Sequence, residues 1–308
     1  MLTFKSFLSE AKMSLKHIAG DSKGQNPFNH QEMTDLVKTG KVNFGNVTEK
    51  TDGQAFEIGW KPEEEHPEGG FVYAKYSGSG VGNYPKIEDH EKRAKIRAPI
   101  DNPYDKDLEK QKVIKNVTEA HRTLSENKPL VEMLKQQSQN TGQVATIKGE
   151  LFTRASAKPS ESQPGQLKWQ GTSYRPDIIA RQAGFVVHTG LEENHWLKDS
   201  HDKIKSLSTP EIKFDHDVIK HNVPDLDVED VKKKLSQTDP KDKEALGGIR
   251  QELSDRIKSH WWKHAPSPKW GNETEGYVVH PSNASPDQPR FKLTSPQQQA
   301  KMKAQMNA

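Results

Sequence analysis

The chain has no cysteine, which excludes disulfides, thiolate metal sites and cysteine nucleophiles. It is also poor in apolar residues. Hydrophobic residues make up 31% and aromatics 7%, against 29% charged, and the mean hydropathy is −0.97. Such a composition predicts a modest core carrying large solvated insertions. No apolar run approaches the ~18 residues of a membrane span, so no membrane partner is expected. The first residues lack the long apolar core and small-residue cleavage site of a secretory signal. No charge sign dominates: the net charge is +3 and the isoelectric point about 8.7. A mildly basic chain permits a nucleic-acid partner without requiring one.

With 308 residues the chain can form one large domain or two small ones. Residues 1–40 read as a helical segment. Leu2, Phe4, Phe7, Leu8 and Ala11 share an apolar side, and a second helical pattern lies near Met33 to Lys38. From about Val42 the period becomes that of strands. Phe56, Ile58 and Trp60 alternate, as do Phe71 and Tyr73, and the polar loop between them predicts a hairpin. Strand character returns at 144–147, 184–188, 277–280 and 290–293. The stretches at about 88–140 and 192–265 read as charged helical insertions, and 296–308 as a tail. The expected class is α+β: an antiparallel β core within a domain spanning 41–295.

The chemistry-bearing residues recur in order. Lys50-Thr51-Asp52-Gly53 places a lysine beside a tight turn, where Gly53 lets the backbone bend and Asp52 can point toward the lysine. Taken alone it is also an ordinary surface turn. A lysine attacks phosphorus only as the neutral amine, which needs desolvation or a nearby cation. Glu150 follows the apolar Val144 to Ile147, and Glu275 precedes Gly276-Tyr277-Val278-Val279. A carboxylate on an apolar strand is costly without a partner, so each is a ribose contact, a metal contact or a strand-end salt bridge. Arg290 and Lys292 flank Phe291, so a strand would point both cations one way, toward an α-phosphate or into solvent. His260 and His264 stand one helical turn apart with no third ligand evident, so burial of the adjacent Trp261 and Trp262 is the simpler reading. Lys232-Lys233-Lys234 reads most simply as a solvated helix face, with phosphate contact as the alternative.

The ordered set resembles the covalent nucleotidyltransferase superfamily of ATP-dependent polynucleotide ligases and mRNA capping enzymes. It is most similar to the nick-sealing RNA ligases of T-even-like phages. The matching residues are Glu49-Lys50 with Gly53 and Phe56-Glu57-Ile58, then Ala74-Lys75-Tyr76-Ser77-Gly78. They continue with Lys148-Gly149-Glu150-Leu151-Phe152, Gly184-Phe185-Val186-Val187 and Glu275-Gly276-Tyr277-Val278-Val279-His280-Pro281. The resemblance covers roughly residues 45–292 and leaves the helical insertions unmatched.

The resemblance implies an ATP-grasp-like nucleotidyltransferase (ligase) domain without a C-terminal OB domain, acting as a monomer. It implies ATP and Mg²⁺, or Mn²⁺ in its place, with RNA ends or nicks as substrate in preference to DNA. Lys50 and Lys292 would be catalytic, Lys50 accepting AMP and Lys292 meeting the α-phosphate. Glu49, Asp52, Gly53 and Arg290 would line the nucleotide. Glu150 would contact ribose, Phe185 would stack on the base, and Glu275 would bind nucleotide and metal. Lys75 and Ser77 would touch nucleic acid. The sequence departs from the family pattern at Ala55, where Arg or Asn is usual, at Tyr76, where a basic residue is usual, and at Arg290, where Lys is usual. Two further readings stand: a capping-type guanylyltransferase, and a catalytically degenerate phage protein that binds nucleic acid. Leu8-Ser9-Glu10-Ala11 resembles the cleavage site of capsid-targeting peptides of T-even-like phages. This implies residence in the host cytoplasm during infection, or packaging in the virion head with residues 1–10 removed.

Overall fold

A computed structural model describes residues 16–19, 27–51, 53–63, 69–76, 83–96, 106–153, 158–159, 167–169, 172–174, 183–190, 192–270, 274–281, 290–296 and 300. The chain is α+β, in two units. The first unit comprises residues 1–50, 218–269 and 274–308, and the second comprises residues 51–217 and 270–273. The sequence pattern predicts a single domain over 41–295. The buried apolar residues fall into two separate clusters, one within each unit.

The first unit holds the antiparallel sheet β13-β12-β2, built from β2 (Asn46–Lys50), β12 (Gly276–His280) and β13 (Phe291–Thr294). A shorter pair joins β1 (Lys41–Val42) to β11 (Leu226–Asp227). Helix His30–Val37 starts at a reciprocal cap. The Asn29 side chain accepts the Glu32 N–H, and the Asn29 N–H donates to the Glu32 carboxylate. Helix Lys243–His264 is capped by Asp242, which accepts the Ala245 N–H at 3.0 Å. Val47, Tyr277, Val279, Phe291 and Leu293 supply the sheet's inner face. Against it pack Met33, Leu36, Leu253, Ile257 and Trp261. Trp261 is fully buried, so the Trp261-Trp262 pair serves packing, as expected. Lys232 and Lys234 pair with Glu229 and Glu252 on an exposed surface.

The second unit is organised by the five-stranded sheet β10-β9-β5-β3-β4. Here β3 is Gln54–Pro62, β4 Gly70–Tyr76, β5 Ala145–Thr153, β9 Ala183–Val187 and β10 Ile212–His216, while β6 (Lys158–Pro159), β7 (Leu167–Trp169) and β8 (Thr172–Tyr174) form a separate antiparallel sheet. The expected β3–β4 hairpin is present, with Phe56 opposite Tyr76 and Trp60 opposite Val72. Helices Ile87–Ile96, Lys106–Ser125 and Lys128–Thr141 occupy the first insertion. The last of these begins at Asn127, whose side chain accepts the Leu130 N–H, and ends at Gly142 (φ 65°). Its Leu130, Met133 and Leu134 cluster with Phe56, Ile58, Ile147, Leu151 and Phe185 on one face of the sheet.

Two expectations need correction here. The core is not wholly antiparallel, because β10 pairs parallel to β9. Nor is 192–265 wholly helical, because β10 lies inside it and extends the sheet. No turn pattern ties Ile212–His216 to a neighbouring strand, and its parallel partner lies across a long connection. Among the described residues no helix is long and apolar enough to cross a membrane. The expected helix over the first dozen residues, the loop around Pro99 and Pro103, and almost all of the 296–308 tail lie outside the described residues.

Candidate functional site

In the first unit, three residues distant in sequence meet. Lys50 ends β2 directly opposite Gly276, and Lys292 on β13 lies opposite Val278. Cross-strand partners share a face and alternate residues return to it, so Lys50, Gly276, Val278 and Lys292 lie on the face away from the Tyr277–Phe291 core. Glu275, just before β12, spans the two cations. Its Oε2 contacts Lys50 Nζ, and its Oε1 lies 3.2 Å from Lys292 Nζ. All three side chains are largely buried, at 27%, 12% and 16% exposure for Lys50, Glu275 and Lys292. Two ammoniums on one carboxylate leave a net positive group in a partly desolvated place. That arrangement can meet a phosphate.

Gly276 makes the arrangement possible. Its φ is +150°, and a Cβ there would sit 2.2 Å from the Leu293 carbonyl oxygen. Only glycine lets β12 start this close to β13 and so bring Glu275 beside both lysines. Ser295 N donates back to the Glu275 carbonyl at 3.1 Å, fixing the turn. Arg290 precedes β13, and its carbonyl accepts the Lys16 N–H at 3.2 Å. Lys292 N donates to the Lys16 carbonyl, so residue 16 runs beside β13 as a short parallel bridge.

Glu49 precedes Lys50 on β2. It sits opposite Tyr277 and so faces the core, away from Lys50. It is 1% exposed, and its Oε2 accepts the Lys269 N–H. Burial, with the Glu49 charge nearby, pushes the Tyr277 phenol above its ordinary range. Glu49 therefore holds backbone within the first unit, and its side chain is not presented with Lys50. Strand alternation is the reason: neighbours in sequence take opposite faces.

The second unit holds Gly53, Lys75, Glu150 and Phe185, while Asp52 and Ser77 lie outside the described residues. Gly53 is a true close approach. A Cβ there would be 2.8 Å from Glu150 Cβ and 2.9 Å from the Phe152 ring. Glu150 is mid-strand, opposite Ala55 on one side and Val186 on the other. The small residue that departs from the family pattern thus stands beside Glu150 and is exposed. Lys75 shares its face with Glu57, whereas Tyr76 turns inward and is 5% exposed.

Phe185 lies on β9. It pairs with Leu151 and faces the opposite side of the sheet from Glu150. It is fully buried, with its ring edge-on to Phe56 at 5.9 Å and Phe214 at 5.5 Å. The structure makes it a core residue instead of an open stacking surface beside Glu150.

The residue that sequence reasoning missed is His188. It follows β9 and shares the Glu150 face, with its N–H donating to the Lys148 carbonyl at 3.0 Å. Nδ1 is 3.2 Å from Asp217 Oδ2, and Nε2 is 3.5 Å from Glu150 Oε1. The other Asp217 oxygen accepts the Thr189 N–H at 3.1 Å and the Thr189 hydroxyl at 2.9 Å. Burial alone would lower the imidazole pKa, but the two carboxylates outweigh it and hold it up at about 9. Asp217 is held below the usual carboxylate range. Burial opposes this, and the bonds from His188 and Thr189 prevail. Glu150 Oε2 is buried with no hydrogen-bond partner among the described residues. The only sequence signal was a histidine in phase with Glu150 at the end of an apolar strand.

Among the described residues there is no group of three His, Asp or Glu side chains able to hold a metal. Both Glu275 oxygens are engaged by lysines, so a Mg²⁺ at this carboxylate would have to replace one of those contacts. No protein-family model matches the chain, and no curated protein matches it.

Proposed function

We propose that this chain is an ATP-dependent RNA ligase of the covalent nucleotidyltransferase type, with Lys50 as the acceptor of AMP. The observation that carries the reading is the Lys50–Glu275–Lys292 group. These are the residues to which the motif resemblance gives nucleophile, acidic and phosphate-binding roles, and they converge on one sheet face from positions up to 242 residues apart (292 minus 50).

Lys50 Nζ attacks the α-phosphorus, a P–N bond forms, the bond to the β-phosphate oxygen breaks, and pyrophosphate leaves. Glu275 orients Lys50 and is the carboxylate in contact to take its proton. Lys292 neutralises charge that develops on the α-phosphate. Mg²⁺ bound with ATP would neutralise the phosphates; the resemblance gives Glu275 a place among its ligands, a contact that would replace one of the carboxylate's lysine contacts. AMP then passes to an RNA 5′-phosphate as the P–N bond breaks. An RNA 3′-hydroxyl displaces AMP and closes the strand. On the resemblance alone, Glu150 keeps the ribose contact within the ATP-grasp-like fold expected from it.

The test is covalent labelling. The protein is incubated with α-labelled ATP or GTP and Mg²⁺ or Mn²⁺, denatured and resolved. Label from ATP that is absent in Lys50→Ala, and reduced on the order of 10²-fold or more in Lys292→Ala, is the expected result. Label from GTP only would move the reading to guanylyl transfer. No label from folded protein with either nucleotide would remove both enzymatic readings.

A further inference from the structure

The second unit carries an aromatic and lysine strip that the Lys50 chemistry does not use. Lys61 on β3 lies opposite Phe71 on β4, and Tyr73 and Lys75 follow Phe71 on the same face by alternation. Tyr84 is laid against this face. Its ring meets Tyr73 edge-on at 5.0 Å, and Lys61 Nζ lies 5.4 Å from its centroid. Lys86 Nζ lies 4.2 Å from the Phe71 centroid.

The segment is pinned. The Pro85 carbonyl accepts the Ala74 N–H at 3.2 Å, and the Lys86 N–H donates to Asp89 at 2.8 Å, starting the next helix. Tyr73 is itself locked, its hydroxyl donating to Glu57 at 2.8 Å, and its ring occupies the space that a Cβ on Gly59 would need.

Two features make the strip a recognition surface. Tyr84 is the exposed large hydrophobic residue among the described residues, at 41%. Among the described residues Lys61, Lys75 and Lys86 have no carboxylate partner, and the first and last instead lie over rings. Glu57, the carboxylate of the same face, is taken up by Tyr73 and by Lys148 at 3.6 Å. From Lys75, opposite Glu57, to Lys61 the face runs four residues, about 13 Å at ~3.3 Å per residue. Cations spaced along one sheet face, with an exposed aromatic ring among them, fit a phosphodiester backbone whose bases are unpaired. Duplex would hide the bases from such a ring.

We infer that the surface formed by Lys75, Phe71 and Lys61 with Tyr84 and Lys86, laid over the buried Tyr73, is a docking surface for single-stranded RNA, with one base stacked on Tyr84 and phosphates met by the lysines. The choice of RNA rests on the proposed ligase function, while the stacking geometry does not.

The test is fluorescence anisotropy with a labelled oligouridylate and no ATP, in a Lys50→Ala background that removes covalent turnover. Tyr84→Ala is expected to weaken binding about tenfold, and Tyr84→Phe to restore it. Lys61→Ala with Lys86→Ala is expected to flatten the slope of log affinity against log salt by about 1.4, roughly 0.7 for each phosphate no longer neutralised. Lys233→Ala, which removes an exposed charge in the other unit, is expected to leave affinity unchanged. Circular dichroism establishes that each variant is folded. Unaltered binding by Tyr84→Ala, or an equal weakening in Lys233→Ala, overturns the surface. Tighter binding of duplex overturns the stacking, and equal binding of single-stranded DNA overturns the choice of RNA. Labelling of Lys50 is measured separately, so either idea can fail alone.

Discussion

The Asp217–His188–Glu150 chain ties the stability of the second unit to pH in a direction opposite to an ordinary buried histidine. The perturbation is His188→Gln, which keeps hydrogen-bonding capacity and removes the titration. The folded imidazole is held at about 9 against its ordinary 6.5. The charged form is therefore favoured in the folded state by about 2.5 pH units, or about 3 kcal/mol at about 1.4 kcal/mol per unit. Because the folded value is raised, this stabilisation is complete below pH 6.5. It declines as pH rises and is gone above about 9. The groups facing the imidazole are Asp217 and Glu150, with Thr189 holding Asp217 and the Asn194 amide donating to the His188 carbonyl. The variant also leaves Asp217 without its cation, which adds an offset that stays constant across this window. Urea unfolding of both proteins at pH 6 to 10 is expected to show a stability difference that shrinks by about 3 kcal/mol toward the alkaline end. The His188 ring resonance is expected to titrate near 9 in the wild type and lower in Asp217→Asn. A stability difference that does not vary with pH, or an imidazole titrating near 6.5, would refute the reasoning.

Phe185→Ala is expected to destabilise the protein by about 3–5 kcal/mol, as truncation of a fully buried aromatic does, with unfolding followed by near-ultraviolet circular dichroism. A change in ATP affinity at unchanged stability would return Phe185 to a base-stacking role. His121 is fully buried beside His90, with ring centroids 5.4 Å apart. Burial, then the neighbouring histidine, lowers its pKa to about 3. The unfolded chain takes up this proton first, so stability falls as pH drops below 6.5 toward 3, at up to about 1.4 kcal/mol per unit. His121→Phe is expected to flatten that acid limb in thermal melts, and an unaltered limb would place the acid sensitivity elsewhere.

Much of this was legible in the chain. Period-two patterns pointed to the β3–β4 and β12–β13 hairpins because each strand meets its neighbour across a local loop. The charged helical stretch at 88–140 was equally plain. Lys50, Glu275 and Lys292 could be named together because charged residues on apolar strands are conspicuous. What failed was parity and distance. Glu49 faces away from Lys50 and Phe185 faces away from Glu150, and composition carries no phase from which either could be read. The parallel strand β10 depends on a partner that no turn announces. His188 became visible only when Asp217 and Glu150 came to either side of it.

The first unit is assembled from separated stretches of chain, and the second is, apart from residues 270–273, one continuous stretch between them. During synthesis the five-stranded sheet has all its strands once Ile212–His216 has emerged. Strand β2, made long before, must then wait for β12 and β13. The contact between Lys50 and Glu275 closes a separation of 225 residues, among the slowest kinds of contact to form. A nascent or truncated chain ending before residue 275 would carry Lys50 without either of its partners. The lysine is thereby kept apart from its acidic and cationic neighbours until synthesis has passed residue 292.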